Sequence, residues 1–254
     1  ESLDGIKNLD AIIKACDGIM VARGDLGCDL PYEEVPYWQE QMIIRCRKAN
    51  KPVIVATQML DSMEKNLLAT RAEVTDVFMA GREGTDATMT SGETAQGNFP
   101  MNVVSTMKNL NKESEYLFDY VSAKKSFLET AKYTKMSLKA KKAALDIAKL
   151  TYPMNQTTPK SAFPFEFVVI FENDVQTIKA ISAIRPGAAI ICVIDKPEIY
   201  NSFGINYGIY THLVSNLNIA IKNCREVSKQ VVKKFGEGTN KACCYIKGKI
   251  IRIN

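Results

Sequence analysis

Residues 17–27 read Asp-Gly-Ile-Met-Val-Ala-Arg-Gly-Asp-Leu-Gly, an apolar run that passes without a spacer into glycine, arginine and aspartate. The run at residues 18–22 is continuously apolar, which is typical of a parallel strand that is buried on both faces. In parallel α/β folds, functional groups collect at the carboxyl ends of the strands. The turn Arg23-Gly24-Asp25 is therefore a candidate site.

Two further strands along the chain end in polar residues in the same way. The apolar run 52–56 leads into Thr57, and the run 85–90 leads into Ser91-Gly92-Glu93-Thr94. Helical patterns follow the three strands, at residues 31–50, 71–83 and 100–120. A strand–helix alternation with a repeat of roughly thirty to forty residues predicts βα units with parallel strands.

The number of these units limits the possible architectures. Only three strand–helix units precede residue 121, whereas a closed (β/α)8 barrel takes eight strands. The first part is therefore either a small open sheet or the later portion of a barrel whose first portion lies elsewhere.

A second domain is predicted after a polar segment. Residues 121–136 lack strong periodicity and are expected to connect residues 1–120 to a second domain at 137–254. In that domain, apolar runs alternate with helical patterns, and the chain ends in a hairpin that turns at Lys247-Gly248. The fold class predicted from the whole chain is α/β: a partial TIM (β/α)8 barrel followed by a doubly wound α/β domain.

Composition excludes several classes of function. The charge is mixed, with 33 Lys+Arg against 28 Asp+Glu and a net charge of +5. Basic residues are spread along a helical pattern without interleaved aromatics, so no nucleic-acid partner is expected, and no apolar run is long enough to suggest a membrane partner. The single histidine, His212, rules out a multi-histidine metal site within the chain. The seven cysteines contain no Cys-x-x-Cys pair and are typical of reduced thiols in a cytoplasmic protein.

The polar strand ends allow two interpretations when each is taken alone. Asp25 between Gly24 and Gly27 could bind a divalent cation beside exposed amides, or it could be an ordinary turn residue. Ser91 and Thr94 could belong to a site or could cap a helix, and Thr57 is equally ambiguous. Three polar strand ends together favour a site, because barrel sites are assembled from several strands.

The same residues resemble the C-terminal half of pyruvate kinase, over nearly the whole chain. The resemblance is carried by four motifs in order: residues 17–27, residues 51–63 (Lys-Pro-Val-Ile-Val-Ala-Thr-Gln-Met-Leu-Asp-Ser-Met), Thr70-Arg71-Ala72-Glu73, and Ser91-Gly92-Glu93-Thr94-Ala95. Arg185-Pro186 and Tyr207-Gly208-Ile209-Tyr210 match the family's C-terminal domain less strongly.

The resemblance implies phosphoryl transfer from phosphoenolpyruvate to ADP, giving pyruvate and ATP, in a cytoplasmic homotetramer. It implies Mg²⁺ (or Mn²⁺), held by Glu1 and Asp25, and K⁺, whose ligands would lie outside this chain. It further implies that the metal offsets charge developing on the phosphoryl group and the enolate.

The resemblance also assigns roles on the substrate side. Arg23, Gly24 and Asp25 would present backbone amides to the substrate carboxylate, and Thr57 would line the pocket near the enolate carbon. Ser91 would belong to the proton-delivery path, with Glu93 supporting it. Arg71 and Glu73 are expected to brace the loop before them and a subunit contact.

The chain differs from the family pattern in the segments of the enzyme that it includes. It starts at the family's metal-binding glutamate, so we expect the phosphoryl-stabilising lysine and the first five barrel strands to come from a separate or preceding segment. Alone, the chain is expected to be inactive. A second hypothesis is a non-catalytic assembly or regulatory fragment of a pyruvate-kinase-like protein. A weaker third is an unrelated metal-dependent barrel enzyme acting on keto acids.

The C-terminal domain departs as well. In regulated family members, a hydroxyl- and glycine-rich turn after its first strand holds a phosphate of a sugar bisphosphate. Here residues 172–177 read Glu-Asn-Asp-Val-Gln-Thr, so two carboxylates replace the hydroxyls and repel phosphate. We therefore expect no fructose bisphosphate effector.

Overall fold

The computed structural model describes residues 1–133, 136–152, 163–235 and 241–253. The chain divides into two compact units, Glu1–Asp119 and Tyr120–Asn254. Each unit has its own sheet and core; the first sheet is parallel, and the second is parallel except for one antiparallel edge strand. No helix among the described residues is long and apolar enough to cross a membrane.

The first unit contains a three-stranded parallel sheet. Its strands are β1 (Ile19–Ala22), β2 (Val53–Ala56) and β3 (Ala87–Thr88), in that spatial order. The register pairs Ala22 with Ala56 and Val55 with Thr88, so all three strands end at one edge of the sheet. The βα units and parallel strands expected from the sequence are confirmed, although β3 is shorter than the predicted run 85–90.

Helices follow the strands as the periodicity predicts. They are α1 (Leu3–Lys7), α2 (Leu9–Ala15), α3 (Arg23–Asp29), α4 (Val35–Lys48), α5 (Arg71–Glu83), α6 (Gly92–Ala95) and α7 (Pro100–Ser114). The helix predicted over residues 31–50 starts later, because Pro36 occupies the first turn of α4 and a short 3₁₀ helix precedes it.

Helix α5 is fixed at both ends and packs closely on α7. Thr70 and Glu73 form a reciprocal capping box at its start, and Gly84 ends it in the left-handed region at φ +93°. At Gly81, an added Cβ would lie 2.1 Å from Ser114 Oγ and 2.8 Å from Ser114 Cβ. The two helices therefore cross at a distance that admits only glycine at position 81.

The segment expected to connect the two domains is helical, which its lack of strong periodicity did not indicate. Residues 121–136 are largely helical, within α8 (Tyr120–Tyr133), and residues 134–135 lie outside the described part of the chain. Tyr120, Ala123 and Phe127 are buried at helical spacing, and Phe127 joins the core of the second unit. This narrow apolar face was hidden in the sequence by the polar residues around it.

The second unit is a five-stranded sheet in the order β6-β5-β4-β7-β8. The strands are β4 (Phe167–Phe171), β5 (Ala189–Ile194), β6 (Ile209–Leu213), β7 (Ala242–Ile246) and β8 (Lys249–Arg252). The first four run parallel, and β8 pairs antiparallel with β7. The predicted hairpin turn is confirmed, since Lys247 and Gly248 both have positive φ, as a two-residue turn requires.

Helices cover both faces of this sheet, which confirms the doubly wound arrangement. They are α9 (Leu138–Thr151), α10 (Val175–Ala183), α11 (Leu217–Lys222) and α12 (Cys224–Phe235). Alternate residues of β4 enter different cores: Val168 and Ile170 pack with α9 and α10, and Val169 and Phe171 pack with α11 and α12.

Candidate active site

The side chain of Arg23 links the ends of β1 and β2. Arg23 begins α3 directly after β1 and is only 9% exposed. Its guanidinium donates to three consecutive backbone carbonyls at the end of β2: Ala56 at 3.3 Å, Thr57 at 2.6 Å and Gln58 at 3.2 Å. The guanidinium is thus used inside the protein, and any contact of Arg23 with a substrate falls to its backbone.

A partly buried polar network holds the guanidinium from the other side. Arg23 Nη1 donates to Asp76 Oδ1 at 2.7 Å and to Gln39 Oε1 at 3.3 Å, and Gln39 Nε2 donates to Glu83 at 2.8 Å. Burial raises the pKa of Glu83, and the hydrogen bond from Gln39 opposes that shift. Sequence reasoning missed Gln39 and Asp76, because Asp76 lies 53 residues from Arg23 and nothing local marks the pair.

The residues after β2 have an unusual backbone. Thr57 and Gln58 have φ values of +70° and +50°, in the left-handed region that side chains with a Cβ rarely adopt. Thr57 Oγ1 accepts a hydrogen bond from the backbone N–H of Gly24 at 2.8 Å. Two of the predicted site residues, Thr57 and Gly24, are therefore in direct contact.

The end of β3 is joined to the same loop by a carboxylate. Glu93 is 2% exposed and accepts from the backbone N–H of Leu60 at 3.1 Å and of Ser91 at 2.5 Å. Ser91 itself is exposed and occupies the N-cap position of α6 without a side-chain cap hydrogen bond. The capping interpretation of Ser91 is therefore not supported, and Ser91 is exposed beside a loop that Glu93 fixes.

The two predicted metal ligands are both exposed carboxylates. Asp25 lies in the first turn of α3, and Glu1 lies in the segment whose Leu3 N–H donates to Asp29 Oδ2 at 3.1 Å, one turn further along α3. Within the described ranges, no group of three or more histidine, cysteine, aspartate or glutamate side chains is arranged to hold a metal ion. Two carboxylates still suit Mg²⁺, which keeps waters and substrate oxygens as its other ligands.

The loop between β2 and α5 is braced by Glu73. Its carboxylate accepts from Ser62 N at 2.7 Å, Ser62 Oγ at 2.5 Å, Thr70 N at 2.7 Å and Thr70 Oγ1 at 2.8 Å. Burial alone would raise the pKa of Glu73, but these hydrogen bonds outweigh burial and hold it below its ordinary value. The loop that carries Thr57 is thereby fixed at its far end.

The polar side chains that follow the strands of the second unit form hydrogen bonds and an ion pair with neighbouring turns and helices. Glu172 pairs with Lys139 at 2.8 Å and accepts from Asp174 N, and Asp174 caps α10 by accepting from Thr177 N and Oγ1. Asp195 accepts from Leu217 N at 2.8 Å and from Asn173 at 2.6 Å, which together lower its pKa.

Burial suppresses the ionisation of several other reactive side chains. All seven cysteines are free thiols, and burial raises the pKa of Cys46, Cys243 and Cys244 to about 12, which leaves them as unreactive thiols. His212 is half-buried, and burial, followed by the charge of Lys234, lowers its pKa.

Comparison with known proteins gives one consistent family. Residues 1–104 match the family model described as pyruvate kinase, barrel domain. The pyruvate kinase of Mycoplasma pneumoniae is 48% identical over 220 residues, covering 84% of this chain and 42% of the relative. That of Clostridium perfringens is 36% identical over 233 residues, covering 91% of this chain and 47% of the relative.

Solved structures agree with these sequence matches. A crystal structure of Cryptosporidium parvum pyruvate kinase has a TM-score of 0.80 and 31% identity, covering 100% of this chain and 50% of that one. A structure of the same parasite's pyruvate kinase in complex with ADP has a TM-score of 0.79 and 30% identity, covering 100% of this chain and 51% of that one. The chain therefore spans about half the length of the relatives it matches.

Proposed function

Since this chain belongs to the pyruvate kinase family, we propose that it forms part of an enzyme that transfers the phosphoryl group of phosphoenolpyruvate to ADP. The chain would supply three strand ends of the barrel and the residues that handle the enolate. The observation that carries the proposal is the linkage of these strand ends: Arg23 ties β1 to the β2 loop, and Glu93 ties that loop to β3.

The proposed roles follow from which groups this linkage leaves exposed. The first turn of α3 would receive the substrate carboxylate at backbone amides of Arg23, Gly24 and Asp25, as helix N-termini favour anions. Gly24 N–H now donates to Thr57 Oγ1, so substrate binding would free the Thr57 hydroxyl at the moment it is needed near the enolate. Ser91, with an exposed hydroxyl on a loop fixed by Glu93, would deliver the proton to the enolate carbon.

Mg²⁺ (or Mn²⁺) would be held by Glu1 and Asp25, and when bound it would offset negative charge on the substrate oxygens. Both residues offer exposed carboxylate oxygens, which are the donors that these hard cations prefer. We propose that K⁺ also serves the complete enzyme, through ligands outside this chain. A cytoplasmic homotetramer remains the expected assembly.

We keep a second candidate, a non-catalytic assembly or regulatory fragment of a pyruvate-kinase-like protein. The two candidates differ in one measurement. The 254-residue chain should show no transfer from phosphoenolpyruvate to ADP by itself, and transfer should appear when it is produced jointly with the first half of a family member's barrel. No transfer by the joined protein would contradict the first candidate, whereas turnover by the chain alone would contradict the second candidate and the expected need for the other half of the barrel.

Ser91→Ala in an active joined protein tests the proposed chemistry directly. A hydroxyl that relays a proton does not hold the phosphoryl group, so enolate protonation should slow roughly 100-fold. Phosphoryl transfer measured in a single turnover should change much less. Ser105→Ala, at an exposed position on α7, is the matched control and should alter neither step. Equal loss in both steps would mean that Ser91 only shapes its loop.

A further inference from the structure

We infer that the side chain of Arg23 is a positioning residue that holds Thr57 and Gln58 in their left-handed conformation and so sets the Thr57 hydroxyl against α3. The inference rests on the proposed function only in the role given to Thr57. The positioning itself stands on hydrogen bonds among residues of the first unit.

The backbone after β2 needs an external restraint. Two consecutive residues with a Cβ have φ of +70° and +50°, and each left-handed non-glycine residue carries a conformational penalty. Such residues persist where their surroundings fix them more strongly than the penalty opposes them. The carbonyls of Thr57 and Gln58 both accept from Arg23 Nη2, at 2.6 Å and 3.2 Å, and so meet this requirement at the two residues concerned.

The geometry requires an arginine at this position. Its side chain serves three carbonyls and, in addition, the Asp76 carboxylate at 2.7 Å and the Gln39 side chain at 3.3 Å. A planar guanidinium offers five N–H donors in a rigid fork, whereas a lysine offers three from a single nitrogen. A lysine could keep the pairing with Asp76 but could not reach all of these acceptors together.

The groups behind Arg23 keep it in place. Asp76 belongs to α5 and Gln39 to α4, and Gln39 is 3% exposed and donates onward to Glu83 at 2.8 Å. The orientation of the guanidinium is therefore set by two helices of the barrel wall. Because Arg23 fixes the backbone of Thr57, it also fixes the position of Thr57 Oγ1, which accepts from the Gly24 N–H at 2.8 Å.

The test measures the Gly24 amide without any need for catalysis. We expect Arg23→Lys to raise the hydrogen-exchange rate of the Gly24 amide by at least roughly tenfold, because relaxation of Thr57 removes its acceptor. Amides in the middle of β1 and β2, such as Val21 and Val55, should change far less. Arg82→Lys, at an exposed arginine on α5, is the matched control and should leave Gly24 unchanged. A uniform rise over the whole unit would mean that Arg23 only stabilises the fold and would overturn the inference.

A second substitution tests the strain itself. Gly adopts the left-handed region without penalty, so Gln58→Gly combined with Arg23→Lys should restore part of the protection of Gly24. No restoration would overturn the inference.

If Arg23→Lys does not fold, Asp76→Asn allows the same comparison, with an expected rise of about threefold in the exchange rate of the Gly24 amide. An unchanged rate at Gly24 would count against the inference. Should Thr57 prove to have no catalytic role, exchange at Gly24 would still respond as stated, so the two failures can be told apart.

Discussion

The two parallel sheets of this chain both end their strands in short polar turns, but the turns use their polar groups differently. In the first unit, the hydrogen bonds run between strands: Arg23 after β1 holds the loop after β2, and Glu93 after β3 holds the same loop. In the second unit, Asp174 caps the helix that follows it, and Glu172 pairs with Lys139. The first edge is cross-linked by buried side chains. At the second edge, the half-exposed Asp195 links the ends of β4, β5 and β6 through Asn173 and Leu217, while Glu172 and Asp174 serve their own turns and neighbouring helices.

The difference lies in what each edge leaves available to a ligand. At the first edge, the buried groups make the structural hydrogen bonds, and the exposed side chains of Asp25 and Ser91 make none to the other residues that the structure describes. At the second edge, the carboxylates themselves are the structural groups, and using one for a ligand would break a cap or an ion pair. At the first edge, Asp25 and Ser91 can therefore remain available to a ligand because Arg23 and Glu93 make the hydrogen bonds that hold the turns.

The largest effect should follow from removing an exposed group at the first edge. Asp25→Asn in a protein that has the complete barrel should weaken Mg²⁺ or Mn²⁺ binding on the order of 100-fold or more, because the ligand loses its charge. Activity should fall in parallel, while the unfolding midpoint stays within error. Asp17→Asn, at an exposed position near the other end of β1, is the control. An unchanged metal titration would make Asp25 a turn residue and would remove the contrast between the two edges.

A buried cross-link of the same edge should behave in the opposite way. Glu93→Gln leaves one carbonyl oxygen for two backbone donors, Leu60 N–H and Ser91 N–H, so one buried donor loses its partner. We expect the free energy of unfolding to fall by about 2 kcal/mol, measured by urea denaturation. Glu113→Gln on the exposed face of α7 should cost nothing measurable. Equal stability of the two variants would show that the linkage to β3 is not structural.

At the second edge, we expect a fall in pH to lower the free energy of unfolding through Asp195. The pKa of Asp195 is lowered first by the hydrogen bond from Leu217 N–H and then by Asn173. Its stabilisation is therefore complete above the unfolded-state pKa of about 3.9 and is lost as pH falls through the lower folded-state value. Urea unfolding followed from pH 6 to pH 3 should show a modest acid loss that Asp195→Asn reduces. Glu198→Gln, at an exposed position after β5, should leave the acid loss unchanged.

The smallest expected effect is the response to fructose bisphosphate. The amides at the start of α10 already have carboxylate partners in Glu172 and Asp174, and both charges repel phosphate. Calorimetry with the 254-residue chain should show no saturable binding. The double variant Glu172→Gln, Asp174→Asn keeps side-chain acceptors but removes the charges, so weak binding should appear there if repulsion is the cause. Micromolar binding by the unchanged chain would contradict the prediction.

Local patterns in the sequence predicted most of the helices and strands, because the signals that start and end these elements lie in neighbouring residues. The helix Arg71–Glu83 was predicted with its observed bounds, since its capping box and its final glycine are encoded within fifteen residues or so. Helix α8 was missed because its apolar face consists of few residues among many polar ones. The contact of Thr57 with Gly24 and the burial of the Arg23 guanidinium depend on pairings 33 and 53 residues apart. No local signal could have revealed them.

The close crossing of α5 and α7 has an evolutionary consequence. Because a Cβ at position 81 would lie 2.8 Å from Ser114 Cβ, the two positions cannot drift independently. A lineage that acquires alanine or valine at position 81 must first shrink position 114 or shift one helix along the other. Homologous sequences should therefore show paired substitutions at these sites, with a larger residue at one accompanied by a smaller residue at the other. Ancestral reconstruction along a branch with paired substitutions should therefore place the change at position 114 before the change at position 81.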